Sequence, residues 1–309
     1  MKTKKLLALL LAGAMSASLL AGCGGNSNTD TTSTDDTAGT TEESDFQYIQ
    51  NKGTLIVGIT NFAPMDYPDE NGDWIGFDAD MAKAFAEEMG VDVEFIEINW
   101  DNKISELESK AIDAVWNGMT LTDEVTSSMS CSDPYCVNAQ VVVVPSDVAD
   151  QYQDADSLKD LNFAVESGSA GEEMAQTLGL NYTAAQTQAN ALMEVSSGAS
   201  DACVIDLLMA GAMIGEGTSY PDLTYTVNLN EASGAESEYY GVGFRKGSDM
   251  AESFNNFYAA MYEAGKVQEI AQTYGVQESL VEPQAAADSA DAGAAADTGD
   301  TAAAEDAAA

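Results

Sequence analysis

The order of apolar segments constrains this chain more than any single motif. Residues 53–59, GTLIVGI, form a run suited to a buried strand, opened by a glycine. Residues 77–90, FDADMAKAFAEEMG, place Met81, Phe85 and Met89 at helical spacing, with Gly90 as a stop. VDVEFIEI then alternates as a strand, NKISELESK reads as a short helix with Ile104 and Leu107 turned inward, and AIDAVWNGM returns as a third strand. A strand-helix-strand-helix-strand order implies parallel strands joined by right-handed crossovers, with ligands gathering at the carboxyl ends of the strands. After AQVVVVP at 139–145 the alternation begins again, and it ends at YYGVGFRKGSD, 239–249. Two runs that bracket an inserted unit predict an α/β protein of two lobes. One lobe is residues 45–142 with 241–283, and the other is the inserted 143–240. A chain that crosses twice between lobes makes a two-stranded hinge with a cleft beneath it.

The ends read differently. MKTKK followed by LLALLLAGAMSASLLA is a basic start and a short apolar run, the pattern of a secretion signal over residues 1–23. Leu20, Ala21, Gly22 and Cys23 resemble a bacterial lipobox, so Cys23 is expected to be lipidated and to anchor the protein to the outer face of the cytoplasmic membrane. Residues 24–44 carry almost nothing able to pack a core and read as a disordered tether. The Ala- and Asp-rich residues 284–309 read as a disordered tail.

Composition excludes several functions. Net charge is −41, from 52 acids against 11 bases, and 11 of those acids lie in the tether and the tail, so the folded region is itself acidic. Nucleic acid is therefore no natural partner, because phosphates need Lys and Arg to displace their counterions. Histidine is absent, which removes Ser-His-Asp and Cys-His devices and histidine-ligated zinc. No cofactor or metal is expected, and most hydrolase mechanisms fall away. Cys131, Cys136 and Cys203 allow at most one internal disulfide, and buried free thiols are the preferred reading.

The ordered series VGITNFAPMDY, GFDADMAKAF, INWDNKISELESKAIDAVWNGMTLTDE, SDPY, VESGSAGE and YYGVGFRKGSD resembles the extracytoplasmic solute-binding proteins of amino-acid ABC transporters. The resemblance implies a monomeric binding protein and not an enzyme, with a type II periplasmic-binding-protein-like fold that closes on its ligand and docks on a permease with its ATPase. It matches Phe62 and Trp100 to two aromatics that flank the ligand, and Asn117, Gly118 and Thr120 to the loop that binds an amino acid's ammonium and carboxylate. Ser169 and Ala170 match a helix N-terminus that receives the carboxylate, and Asp206 matches the acid that pairs with the ammonium. Glu166, beside the SGSAG loop, is placed to favour a cationic group. Asp78 is read as a helix cap, Lys103 and Lys110 as solvated, and Arg245 as a surface residue.

One departure bears on the ligand. The family pattern usually ends MTLTDEV with arginine, whose fork grips a carboxylate, and here Val125 stands instead. Losing such a pair costs about 2–5 kcal/mol if its partner stays buried. Either the carboxylate rests on Thr120, Thr122 and the helix N-terminus near Ala170, all uncharged, or the ligand has no carboxylate in the usual place. A ligand-sensing lipoprotein of the same fold, and a dehydratase-like enzyme, are the alternative functions.

Overall fold

The structure, a computed structural model, describes residues 44–235 and 237–283. The signal segment with Cys23, all of the tether but its last residue, and the tail lie outside the described residues. Ser44, assigned to the tether from sequence, begins the fold, its hydroxyl accepting from the N–H of Gln47 to cap the helix Asp45–Lys52.

Two five-stranded sheets carry the chain. In the first, Thr54–Ile59 lies between Asp92–Glu97 and Ala114–Val115, parallel to both, and Gly243–Phe244 pairs antiparallel with Ala114–Val115 and with Ser130–Cys131. In the second, Asn162–Glu166 lies parallel to Asn181–Ala185 and to Ala202–Asp206, while Gln140–Pro145 runs antiparallel between Ala202–Asp206 and Leu223–Asn228. The second sheet thus takes in Gln140, earlier in the chain than the boundary at 142 read from sequence. The two crossings between sheets are Cys136–Asn138 and Glu238–Tyr240, which pair antiparallel as a separate two-stranded ribbon. The run QVVVV, placed at the hinge by sequence, is a central strand of the second lobe, consistent with its continuous burial.

Amphipathic helices cover both sheets. Phe77–Met89 buries Phe77, Met81, Phe85 and Met89, a four-residue spacing that keeps one face against the first sheet. Phe85 meets Trp116 and Phe254 edge-on, with ring centroids 6.3 and 5.7 Å apart. Each large apolar side chain buried in this way contributes about 1.5–3 kcal/mol.

Two expectations about charged residues fail here. Arg245 is buried: its Nε reaches both carboxylate oxygens of Asp45 at 3.0 Å, Nη1 donates to the carbonyl of Ile112 at 2.9 Å, and Nη2 lies 3.3 Å from Asp113, which also pairs with Lys52. A guanidinium satisfies several acceptors at once and is weakly hydrated, so this arginine ties the first helix to the sheet edge. Asp78 does not cap its helix, whose N-cap is Gly76. Its carboxylate points inward and accepts from the N–H of Gly118 at 2.6 Å and from the hydroxyl of Tyr135 at 2.7 Å.

Candidate binding site

The carboxyl ends of the strands in both sheets open on one cavity of about 280 Å³. From the first sheet, Phe62 follows Thr54–Ile59, Trp100 follows Asp92–Glu97, and Asn117, Gly118 and Thr120 follow Ala114–Val115. From the second, Glu166 ends one strand, Asp206 ends another, and Ser169 and Ala170 begin the helix Ala170–Leu178. All nine candidate ligand residues read from sequence therefore line this one cavity.

Local chemistry fixes the first-lobe wall. Asn117 closes a buried network: its Oδ1 accepts from the main-chain N–H and the hydroxyl of Thr60, both at 2.8 Å, and its Nδ2 donates to Asp66 Oδ2 at 2.7 Å. Its side chain is thus committed to scaffolding. Gly118 has φ +54°, and a Cβ there would stand 2.5 Å from Phe62 Cε1, so only glycine lets the aromatic lie against the loop. Thr122 caps the short helix Asp123–Ser128, accepting from the N–H of Val125, and that bond occupies one of its hydroxyl's lone pairs. Thr120 reaches Glu238 at 3.4 Å.

The second-lobe wall is acidic. Asp206, 4% exposed, makes no helix-capping bond, and its carboxylate accepts instead from Asn138, from Gln140 Nε2 at 3.0 Å, and from Gln188. Gln188 grips it at two points, because its Oε1 also accepts from the main-chain N–H of Asp206 at 2.8 Å. Burial, and then the charge of Glu238, push the Asp206 carboxyl up to about 7 against this amide stabilisation. Glu166 is 2% exposed and its Oε1 has no hydrogen-bond partner. Burial, and then the charge of Asp206, push it up to about 8, with Lys103 acting in the opposite direction. Gln188 and Thr60 also favour the ionised carboxyl through their side chains, but Oε1 itself is without a partner, and a buried carboxylate oxygen in that state is an acceptor open to a donor. Ser169 caps its helix, accepting from the N–H of Glu172 at 3.1 Å, and lines the cavity as well.

Lys103 corrects the sequence reading most. It is not solvated: it is 4% exposed, lines the cavity, and donates across the cleft to the carbonyl of Gly168 at 2.8 Å. The cleft therefore does hold a cation. The signal was present, since Lys103 precedes the buried Leu107 by four residues and so shares its helix face. Lys110 is exposed, its ammonium 4.3 Å from the Tyr48 ring centroid. Against Lys103 the lining sets Asp101, Glu124, Glu166, Glu172, Glu173 and Asp206. Gln188 also escaped sequence reading, since nothing in its helix-start context marks it as a partner of Asp206. Cys131, Cys136 and Cys203 are free thiols. Among the described residues no helix is long and apolar enough to cross a membrane, and no cluster of side chains could hold a metal ion.

Residues 55–277 match the family of bacterial extracellular solute-binding proteins, family 3. The chain is 30% identical over 227 residues to the arginine-binding extracellular protein ArtP of Bacillus subtilis, which covers 71% of this chain and 85% of that protein. It is 26% identical over 230 residues to the L-cystine-binding protein TcyJ of Escherichia coli, covering 73% of this chain and 84% of that one. Among solved structures, a mutant of ArgBP from T. maritima superposes with a TM-score of 0.68 at 29% identity, covering 75% of this chain and 99% of that one. These three are binding proteins by name, and a further solved structure, 31% identical with a TM-score of 0.66 and covering 74% of this chain and 98% of that one, is an ancestral amino acid-binding protein described as a precursor of cyclohexadienyl dehydratase. The paired sheets, the two-stranded ribbon between them and the cavity at their strand ends are the architecture of a type II periplasmic binding protein, and the chain belongs to the family 3 extracellular solute-binding proteins.

Proposed function

We propose that this chain is the lipid-anchored solute-binding subunit of an ABC importer. It takes a polar amino acid, or a related amine-bearing solute, into the cleft between its lobes and delivers it to a membrane permease driven by an ATPase. The observation that carries this reading is the pair of buried carboxylates, Glu166 and Asp206, opening on the same cavity as Phe62 and Trp100, with Glu166 Oε1 unpartnered. An ammonium group supplies the positive charge that the pair lacks and a donor for Glu166 Oε1, and the aromatic faces exclude water and favour cations. Relatives named for arginine and cystine point to the same class of solute.

Binding is expected to join the lobes. The first contributes Phe62, Trp100, Gly118 and Thr120, and the second contributes Glu166, Ser169, Ala170 and Asp206, so a ligand touching both stabilises the closed form. Closure then presents a new surface to the permease. Cys23, processed and acylated, would hold the protein beside that permease at the outer face of the membrane.

A thermal-shift screen against L-amino acids, polyamines and small peptides tests the reading. A true ligand raises the midpoint progressively with its excess over Kd. A screen in which no amine-bearing solute moves the midpoint contradicts it.

A further inference from the structure

We propose that Lys103 is the anion anchor of the cleft, the group that receives the carboxylate of the bound solute. The inference rests on the reading of the cleft as an amino-acid site and names a residue of recognition within it. Lys103 is almost wholly buried, and its ammonium meets only uncharged groups: the carbonyl of Gly168 at 2.8 Å, weakly that of Trp100 at 3.4 Å, and the Trp100 ring, whose centroid lies 5.3 Å away. Among the described residues it makes no ion pair.

Carbonyls accept its protons but do not neutralise its charge, and buried charges are ordinarily paired. The nearby acids leave that place open. Glu172 accepts from the N–H of Gly168 at 2.7 Å, while Asp101, Glu124 and Glu166 act on the ammonium only at longer range. An ammonium has three donors, so one remains beyond the two carbonyls. It lines the same cavity as Val125, the position where the binding-loop pattern calls for an arginine, and as Thr120 and Ala170. A zwitterion then finds a partner for each end, its carboxylate at Lys103 and its ammonium at Glu166 and Asp206. The cation missing from position 125 is supplied from the neighbouring helix.

The test compares amino acids with their carboxyl-free counterparts. Calorimetric titration of the full-length, detergent-solubilised protein uses L-arginine with agmatine, L-histidine with histamine, and L-cystine with cystamine. For the amino acid that binds, Lys103→Met is expected to reduce the ratio of its affinity to that of its amine by roughly 10- to 100-fold, the worth of a charge-assisted hydrogen bond. Lys103→Arg is expected to keep most of that ratio. Should Lys103→Met fail to fold by circular dichroism, Lys103→Gln removes the charge while keeping a donor for Gly168. An unchanged ratio in a folded charge-removing variant overturns the assignment of Lys103 alone. A wild type that binds amines but none of the amino acids overturns the amino-acid reading itself, and this proposal with it.

Discussion

Lys103 of the first lobe and Gly168 of the second meet across the cleft, the ammonium donating to the carbonyl at 2.8 Å. Beside this bond the lobes touch through main chain, since a Cβ on Gly168 would stand 2.7 Å from Asp101 Cα. The structure thus shows how near the lobes come and which atoms limit their approach. A side chain added at Gly168 would perturb that approach through Asp101, with the Gly168 carbonyl that holds Lys103 retained.

Gly168→Ala is expected to weaken ligand binding by obstructing that approach. Both Gly168 (φ +73°) and Gly179 (φ +66°) have left-handed backbones, but a Cβ on Gly179 would meet nothing within 4 Å. Each substitution carries the same backbone strain of about 1 kcal/mol, so each should lower Tm by a few degrees. Only Gly168→Ala should also lose affinity, and titration of the two variants side by side checks this.

Asp206→Asn should reduce affinity for an amine-bearing ligand roughly 100-fold or more, because the partner of a buried charge pair is lost. The isosteric amide keeps an acceptor for some of the donors of Asn138, Gln140 and Gln188, so the fold should persist. Unchanged affinity by calorimetry would remove Asp206 from the site.

The sign of the pH dependence follows from the raised carboxyls. Burial pushes the Glu166 carboxyl up to about 8 and the Asp206 carboxyl up to about 7, against ordinary values of 4.5 and 3.8. Between each ordinary value and its folded value the native state holds more protons than the unfolded chain. Stability of the ligand-free protein should therefore be highest in acid and decline as pH rises through this window. Binding of an ammonium needs the ionised acids, so affinity should run the other way, rising from pH 5 to 8 with protons released on binding. Calorimetry in buffers of different ionisation enthalpy measures that release. Glu166→Gln should make both profiles shallower, leaving in the affinity profile the part due to Asp206 and in the stability profile the parts due to Asp206 and Asp78, whose carboxyl burial also raises to about 7.

Arg245→Met should destabilise the fold without altering the cleft. It removes a guanidinium that bonds Asp45, Asp113 and the Ile112 carbonyl, leaving buried acceptors uncompensated, at a cost of about 3–5 kcal/mol. Denaturant melts should show this loss, and ligand affinity of the folded fraction should match wild type.

Strand-end chemistry was legible in the sequence because it is local. Phe62, Trp100, Glu166 and Asp206 each fall at or just beyond the end of an apolar run, and parallel strands point such ends the same way. Partnerships between distant segments were not legible. Asp78 looked like a helix cap because an acid in a first helical turn usually suits the dipole, yet Gly118 and Tyr135, 40 and 57 residues away, claim its carboxylate. For Lys103 and Arg245 sequence alone predicts solvated or surface positions, because lysine and arginine usually occupy them. Only the packed structure shows carbonyls of Gly168 and Ile112 waiting for them. The crossing into the second lobe was misplaced within QVVVV because an all-apolar run looks the same in a hinge and in a central strand.

Small-angle X-ray scattering tests most directly whether this cavity is an interlobe trap. When an amino acid that raises Tm is titrated in, the radius of gyration should fall along the same saturation curve as the calorimetric heat, and Gly168→Ala should blunt the change. A radius that stays constant through full saturation of the wild type would contradict closure on the ligand.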